Sequence, residues 1–282
     1  MDSIAAELLL LRKRTAAWIL LGAWSVTAML FSYLFPYLSY TSGVVFHQRD
    51  VGQILLDALL PQNLVANILG AFPFFGGTMV LILGALAIGS EFSWGTLTPV
   101  FTQGASRLRV FFSKMLALGI ALVPFVLLVF ILGFVASLLI AVREGQPVDW
   151  PPLWEVVRAL GVSWFILAMW ASLGVVLAAL SRGTALAIGL GIIYGLVLEG
   201  VITIFGKQVD FLGQVSTAFL RTNGYSLVSA LGVTIQGEMG PGGFSGPFVS
   251  GTQASLVMAG YIVLFIGAAA ALIRMRDVAG AS

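Results

Sequence analysis

Residues 111–142 read FFSKMLALGIALVPFVLLVFILGFVASLLIAV, and this stretch decides the class of the protein. It carries no charged residue after Lys114. A helix that rises about 1.5 Å per residue needs about 20 apolar residues to cross a hydrocarbon layer about 30 Å thick. The stretch exceeds that length, so we predict a membrane-spanning helix here.

Similar apolar stretches recur along the whole chain. We predict six spans, at residues 16–40, 63–90, 111–142, 156–180, 184–206 and 253–273. The chain is 59% hydrophobic and 9% charged, a composition far from that of a water-soluble globular domain. No polar stretch between the spans is long enough for a second domain. We therefore expect an all-α integral membrane protein in which residues 1–282 form a single transmembrane domain.

Several classes of site are excluded by composition. The chain has no cysteine, which excludes disulfides, thiolate metal ligands and cysteine nucleophiles. Its one histidine, His47, lacks the further ligands of a metal centre, and the serines have no intramembrane histidine partner. The net charge of +2 is too small to indicate a nucleic-acid partner. We expect no catalytic residue, no metal site and no bound cofactor, with membrane lipid around the chain.

The distribution of basic residues predicts the orientation. Lys and Arg concentrate on the cytoplasmic side of membrane proteins. The N-terminus and the second, fourth and final connections carry nine of them, and the other side carries five. We predict a multi-pass protein of the cell membrane with both termini cytoplasmic. Because Trp18 to Tyr40 is too long for a signal-peptide core, we expect it to be retained as the first span.

The residues before the first span have the pattern of a short amphipathic helix. Ile4, Leu8 and Leu11 recur at helical spacing and lead into three basic residues at 12–14. This pattern is typical of a helix in the membrane interface, with basic anchors toward anionic lipid. We predict an interfacial elbow helix over residues 1–15. The alternative is a cytoplasmic extension of the first span with ordinary positive-inside anchors.

Residues 207–252 join the fifth and sixth spans and are rich in Gly, Ser and Thr. Phe211 to Leu231 is nearly long enough to span, but Arg221, Asn223 and Gly224 interrupt it. Polar residues at that depth are costly in lipid. We therefore predict an outer loop that contains short outer-face or re-entrant helices.

The connection between the second and third spans is the segment most informative about function. Residues 91–114 read EFSWGTLTPVFTQGASRLRVFFSK, in which polar turn residues alternate with large apolar ones. An apolar surface on a predicted cytoplasmic connection indicates membrane contact or a docking face for a partner, and we favour docking.

At these residues the sequence resembles the membrane subunits of type-2 ABC transporters. Their second connection typically reads Glu, a few residues, Gly-Thr-Leu, then Ser-Arg and a downstream Lys. The N-terminal amphipathic segment followed by six spans resembles the same family over essentially the whole chain. The residues that fall into the pattern are Glu91, Gly95, Thr96, Leu97, Ser106, Arg107 and Lys114.

The resemblance implies that residues 91–110 form a coupling helix. Such a helix, with Phe101 among its docking residues, sits in a cleft of a separate ATPase subunit and transmits ATP-driven closure to the spans. Pro99 departs from the family pattern, so the helix would begin there with Thr98 as its cap, and its docking surface would be short. The alternative for Arg107, Arg109 and Lys114 is that they are only topological anchors, and the flanking Gly-Thr-Leu motif favours the coupling role.

The resemblance also implies partners. The membrane subunits of this family pair with each other, so we expect a second permease subunit, identical or related. The chain has no Gly-x-x-x-x-Gly-Lys-[Ser/Thr] phosphate loop, so we expect ATP and Mg²⁺ on the partner ATPase and no enzymatic activity here.

Glu199 is the acid that falls within a predicted span. A carboxylate at that depth is costly unless it faces a cavity, a partner or the protein interior. Together with Tyr194, Phe72 and Phe205, it is our candidate for the translocation path. The alternative is that the span ends earlier and Glu199 lies at the outer interface.

Gly191 and Gly195 have the Gly-x-x-x-Gly spacing that permits close helix approach, within the chain or between subunits. We predict a helix contact at these two glycines.

Two functions are consistent with this sequence. The first is the permease subunit of an ABC exporter for an amphipathic substrate, such as a drug, a peptide or a lipid-like compound. The alternative is a self-contained secondary transporter that uses Glu199 as its ion-coupling carboxylate. The 91–114 connection favours the exporter, since a secondary transporter has no need of it.

Overall fold

The computed structural model describes residues 2–42, 49–94, 107–205, 209–233 and 249–275, and all their regular secondary structure is helical. Six helices in these ranges are long and apolar enough to cross a membrane, and we call them spans 1 to 6. The expectation of an all-helical, multi-pass membrane protein is confirmed, and the predicted span ends lie within a few residues of the helix ends. The spans are Thr15–Ser42, Pro61–Glu91, Leu108–Arg143, Leu153–Ser181, Thr184–Ile202 and Gly251–Met275.

Three spans contain turns of π-helix. These turns are Leu30–Leu34 in span 1, Phe72–Gly76 in span 2 and Ile193–Leu198 in span 5. The turn in span 2 contains Pro73, whose missing N–H cannot take part in an α-helical hydrogen bond. The other intramembrane proline, Pro124, lies inside the α-helix Arg107–Arg143.

Within the described ranges, four further helices lie outside the spans. The N-terminal helix, Asp2–Lys13, is separated from span 1 by Arg14, whose backbone is extended (φ −76°, ψ 115°). It is therefore not a straight continuation of span 1, and its place in the membrane interface stays a prediction. The other three helices are Arg49–Leu59 between spans 1 and 2, and Asp210–Ser216 and Leu220–Ser229 between spans 5 and 6.

Spans 2 and 4 form the centre of the bundle. Their apolar windows are 67% and 72% buried, whereas none of the other four exceeds 44%. Their backbones touch, because a β-carbon at Gly84 would overlap the carbonyl oxygen of Ala171. Likewise, a β-carbon at Gly174 would overlap the carbonyl oxygen of Leu81. Glycine permits this approach, which brings many atoms into van der Waals contact.

Span 5 packs against the same pair through the two glycines that the sequence indicates. A β-carbon on Gly191 would lie 2.5 Å from the side chain of Leu81 in span 2, and one on Gly195 would lie 3.2 Å from the Trp170 ring in span 4. The described contacts of these two glycines are therefore within the chain.

Span 1 is attached to the bundle by Trp24, which is fully buried. Its indole N–H donates to the carbonyl oxygen of Phe125 in span 3 at 2.9 Å, and its ring meets Phe72 edge-on at 5.1 Å. At the C-terminal end of span 1, Tyr37 donates to the Glu144 carboxylate at 2.7 Å, just beyond the end of span 3. Span 1 is thus bound to span 3 along much of its length.

The glycine contact between spans 2 and 4 can be tested by replacing Gly84 with Val. The added carbons would push against the Ala171 backbone, and we expect a loss of about 3 kcal/mol from overpacking. That loss corresponds to a melting temperature in detergent lower by about 6 °C or more. Gly260→Val in span 6 is the matched control, because a β-carbon at Gly260 would have no other atom within 4 Å. Equal melting temperatures for the two variants would contradict this packing.

Candidate functional site

Lys114 joins three helices at one end of the bundle. Its Nζ lies 2.5 Å from Oε2 of Glu7 in the N-terminal helix and 2.6 Å from Oε1 of Glu91 at the end of span 2. Lys114 itself lies two turns into the helix of span 3 and is only 4% exposed. Because water is excluded, these ion pairs are screened much less than surface pairs.

The sequence places Lys114 on a buried face of its helix. Phe111 and Leu118, three residues before and four after, are both buried. An ammonium group in such surroundings is costly unless carboxylates pair with it. Glu7 and Glu91 meet that requirement from two other helices, so the three charges hold the helices together.

Arg14 adds a second connection beside this cluster. Its Nη1 donates to the carbonyl oxygen of Leu86 in span 2 at 2.7 Å, and the Ser90 hydroxyl donates to the same oxygen. The break between the N-terminal helix and span 1 is therefore fixed to the last turns of span 2.

The structure brings together two of the residues predicted for ATPase coupling, Glu91 and Lys114. Arg107 is described only as the first residue of the helix of span 3. Glu7 was not among the predicted residues. A glutamate between Ala6 and Leu8 in an apolar helix nevertheless indicates a paired charge, which is what the structure has. Five predicted residues lie outside the described ranges: Gly95, Thr96, Leu97, Phe101 and Ser106.

A second polar cluster forms around Glu199 in span 5, which is 1% exposed. Its carboxylate accepts the backbone N–H of Leu220 at 3.0 Å and that of Arg221 at 3.1 Å. Nε of Arg221 lies 3.7 Å from the same group, and the Tyr194 hydroxyl is within hydrogen-bonding reach. Glu199 thus caps the N-terminus of the helix Leu220–Ser229, where a negative charge is favourable.

That helix, which we call the polar helix, is buried from residue 220 to residue 228 despite its polar composition. Gly224 faces Pro73 in the π-helical turn of span 2, and the Arg221 guanidinium lies 5.5 Å from the centre of the Phe74 ring. The Asn223 amide donates to the carbonyl oxygens of residues 217 and 219. Polar groups within a membrane require such enclosure by protein.

Of the residues predicted to line a path, Glu199 and Tyr194 lie together in this cluster. Phe72 has no exposed surface, because it packs between Trp24 and Phe130 in the core. Phe205 is about half exposed at the end of its helix. The four residues therefore do not line one open surface of this chain. No group of three His, Cys, Asp or Glu in the described ranges could hold a metal ion.

Replacing Glu199 with Ala tests its role as the cap of the polar helix. The change removes the acceptor of two backbone N–H groups and the carboxylate beside a buried Arg221, a loss of about 3 kcal/mol. We expect hydrogen exchange at residues 220–229 to accelerate by about tenfold or more. Glu155→Ala is the control, because Glu155 is exposed in the first turn of span 4. Unchanged exchange at 220–229 would refute the capping role.

One protein family matches the chain over nearly the whole bundle. The family described as "Protein of unknown function (DUF2705)" matches residues 25–279. No curated protein matches the chain. The matched range begins within span 1 and ends just beyond span 6, so it includes Glu91, Lys114 and the Glu199 cluster. The chain belongs to the DUF2705 family.

Proposed function

We propose that the chain is the permease subunit of a type-2 ABC exporter in the cell membrane, with both termini cytoplasmic. It forms a translocation path for an amphipathic substrate and couples to a separate ATPase subunit through residues 91–110. The proposal rests on the resemblance at residues 91–114 and on one observation, the buried ion pairs of Lys114 with Glu91 and Glu7.

The ion pair of Glu91 with Lys114 closes the base of the connection between spans 2 and 3. This ion pair links the ends of spans 2 and 3, so a displacement of one end would act on the other. Glu7 adds the N-terminal helix to the same unit. A coupling helix needs such an attachment, because the motion of an ATPase subunit has to reach the membrane helices as a displacement of a rigid body.

From this base, contiguous contacts extend to the other end of the bundle. Span 2 touches span 4 through Gly84 and meets span 5 at Leu81. Its π-helical turn then contacts the polar helix, where Pro73 faces Gly224. Alternating access requires the spans to move between two rigid arrangements. Span 2 contacts span 4, span 5 and the polar helix, so a displacement of span 2 would reach all three.

The chain needs partners for this function. It lacks a phosphate-binding loop of its own, so ATP and Mg²⁺ would be bound by the partner ATPase. A second permease subunit, identical or related, would complete the path.

The alternative function, a secondary transporter coupled through Glu199, has less support. An ion-coupling carboxylate has to exchange its ion with water during transport. The Glu199 oxygens instead accept two backbone N–H groups and lie beside Arg221, in a site that is 1% exposed. Glu199 therefore serves better as an anchor of the polar helix.

The coupling role predicts that Lys114→Gln separates ATP hydrolysis from transport. We expect the variant to insert and to co-purify with its ATPase. Stimulation of hydrolysis by amphipathic substrates should fall by about tenfold or more, a coupling loss of about 1.4 kcal/mol. Glu91→Gln should act in the same way. The control is Arg274→Gln, an exposed basic residue at the end of span 6.

A charge exchange sharpens this test. The double variant Glu91→Lys with Lys114→Glu keeps two acids and one base in the cluster and should recover part of the stimulation. Full stimulation in Lys114→Gln, or the same loss in Arg274→Gln, would argue against the coupling role. Failure of any ATPase to co-purify with the unaltered chain would argue against the exporter itself.

A further inference from the structure

A cavity of about 300 Å³ lies between the N-terminal helix and spans 1, 2 and 3. Its walls are almost entirely apolar, with Leu8 and Leu11 on one side and Ile120 and Pro124 on another. Trp18 and Ile120 are each about half exposed, so the cavity opens on the outer surface of the bundle. In a membrane protein that surface faces lipid.

The walls of this cavity are held by hydrogen bonds. The Trp18 indole donates to the carbonyl oxygen of Arg12 at 2.8 Å, which fixes the start of span 1 against the end of the N-terminal helix. Trp24 fixes span 1 to span 3 at Phe125, a lining residue. The cavity is therefore formed before any ligand enters it, as is usual for ligand sites.

One edge of the cavity is positively charged. Arg12 is the charged residue among those that line it, and Lys13 beside it is exposed. Span 1 begins there, with no acid in its first turn and no side-chain cap on its described N-terminus. A helix N-terminus that lacks both an acidic residue and a capping side chain favours the binding of an anion. Glu7 does not neutralise Arg12, since it is paired with Lys114.

We propose that this groove binds an anionic phospholipid. The phosphate lies at Arg12 and Lys13, and one acyl chain enters the apolar slot between Leu8, Trp18 and Pro124. The volume is at the lower end of the range for ligand pockets, which suits a segment of one acyl chain while the rest of the lipid stays in the bilayer. The charged edge beside an apolar slot selects an amphipathic anion over a neutral lipid.

This site does not depend on the export function. The N-terminal helix turns Glu7 toward Lys114 and its Leu8, Leu11 and Arg12 toward the groove. A bound lipid would therefore hold the helix along a face adjacent to its ion pair.

Native mass spectrometry of the full-length protein tests the proposal. The protein is incubated in detergent with equal amounts of phosphatidylglycerol and phosphatidylcholine that carry the same acyl chains. We expect phosphatidylglycerol to be retained about fivefold more, the ratio that about one favourable basic contact provides. Arg12→Gln should lower this ratio, the double variant Arg12→Gln with Lys13→Gln should bring it to about one, and Ala121→Phe, which fills the slot, should lower retention of both lipids.

Arg274→Gln is the control, because it removes an exposed basic residue outside the groove. The same loss of preference in this control would mean that surface charge alone attracts the lipid, and would overturn the site. Equal retention of both lipids by the unaltered protein would overturn it as well.

A second measurement does not rely on the slot-filling variant. Phosphatidylglycerol brominated in its acyl chain should quench tryptophan fluorescence more than brominated phosphatidylcholine does. The difference should disappear in Trp18→Phe, since Trp18 lines the slot. A difference that persists in Trp18→Phe would place the lipid elsewhere and refute the proposal.

Discussion

The backbone contact between spans 2 and 4 is the constraint on which the rest of the bundle depends. Lipid tails are as apolar as leucine side chains, so burial of apolar surface does not drive helices together in a membrane. Close approach has to do so, and Gly84 and Gly174 allow each span to touch a carbonyl oxygen of the other. Span 5 is then placed by Gly191 against Leu81 of the same span 2.

Polar groups hold the elements around this centre. Lys114 joins the N-terminal helix to spans 2 and 3, and Glu199 joins span 5 to the polar helix. In each case a buried charge of one element meets opposite charges or backbone donors of another. Such groups are costly when left alone in a membrane, so each restricts the arrangement of its neighbours. The two clusters lie near the ends of span 2 and span 5.

Much of this fold could be predicted from the sequence, because hydropathy is a local signal. The six spans follow from apolar length, and Glu91 and Lys114 stand out within one segment. Their pairing with Glu7 could not be predicted, since Lys114 and Glu7 are 107 residues apart and no local pattern joins them. The contact at Gly84 was missed, although Gly77 and Gly84 repeat at a spacing of seven, which keeps them on one helix face. The polar helix was predicted as a short helix. Its burial depends on Pro73 and Phe74 of a distant span.

The polar helix also sets an order for the biogenesis of the protein. With Arg221 and Asn223 near its start, it is too short and too polar to enter the bilayer as an independent segment. Its burial therefore requires that spans 2, 4 and 5 are already in place around it. Because it also packs against span 6, which is synthesised after it, its docking is completed only when the last span is in place. The polar helix and span 6 therefore complete the bundle together, after spans 2, 4 and 5.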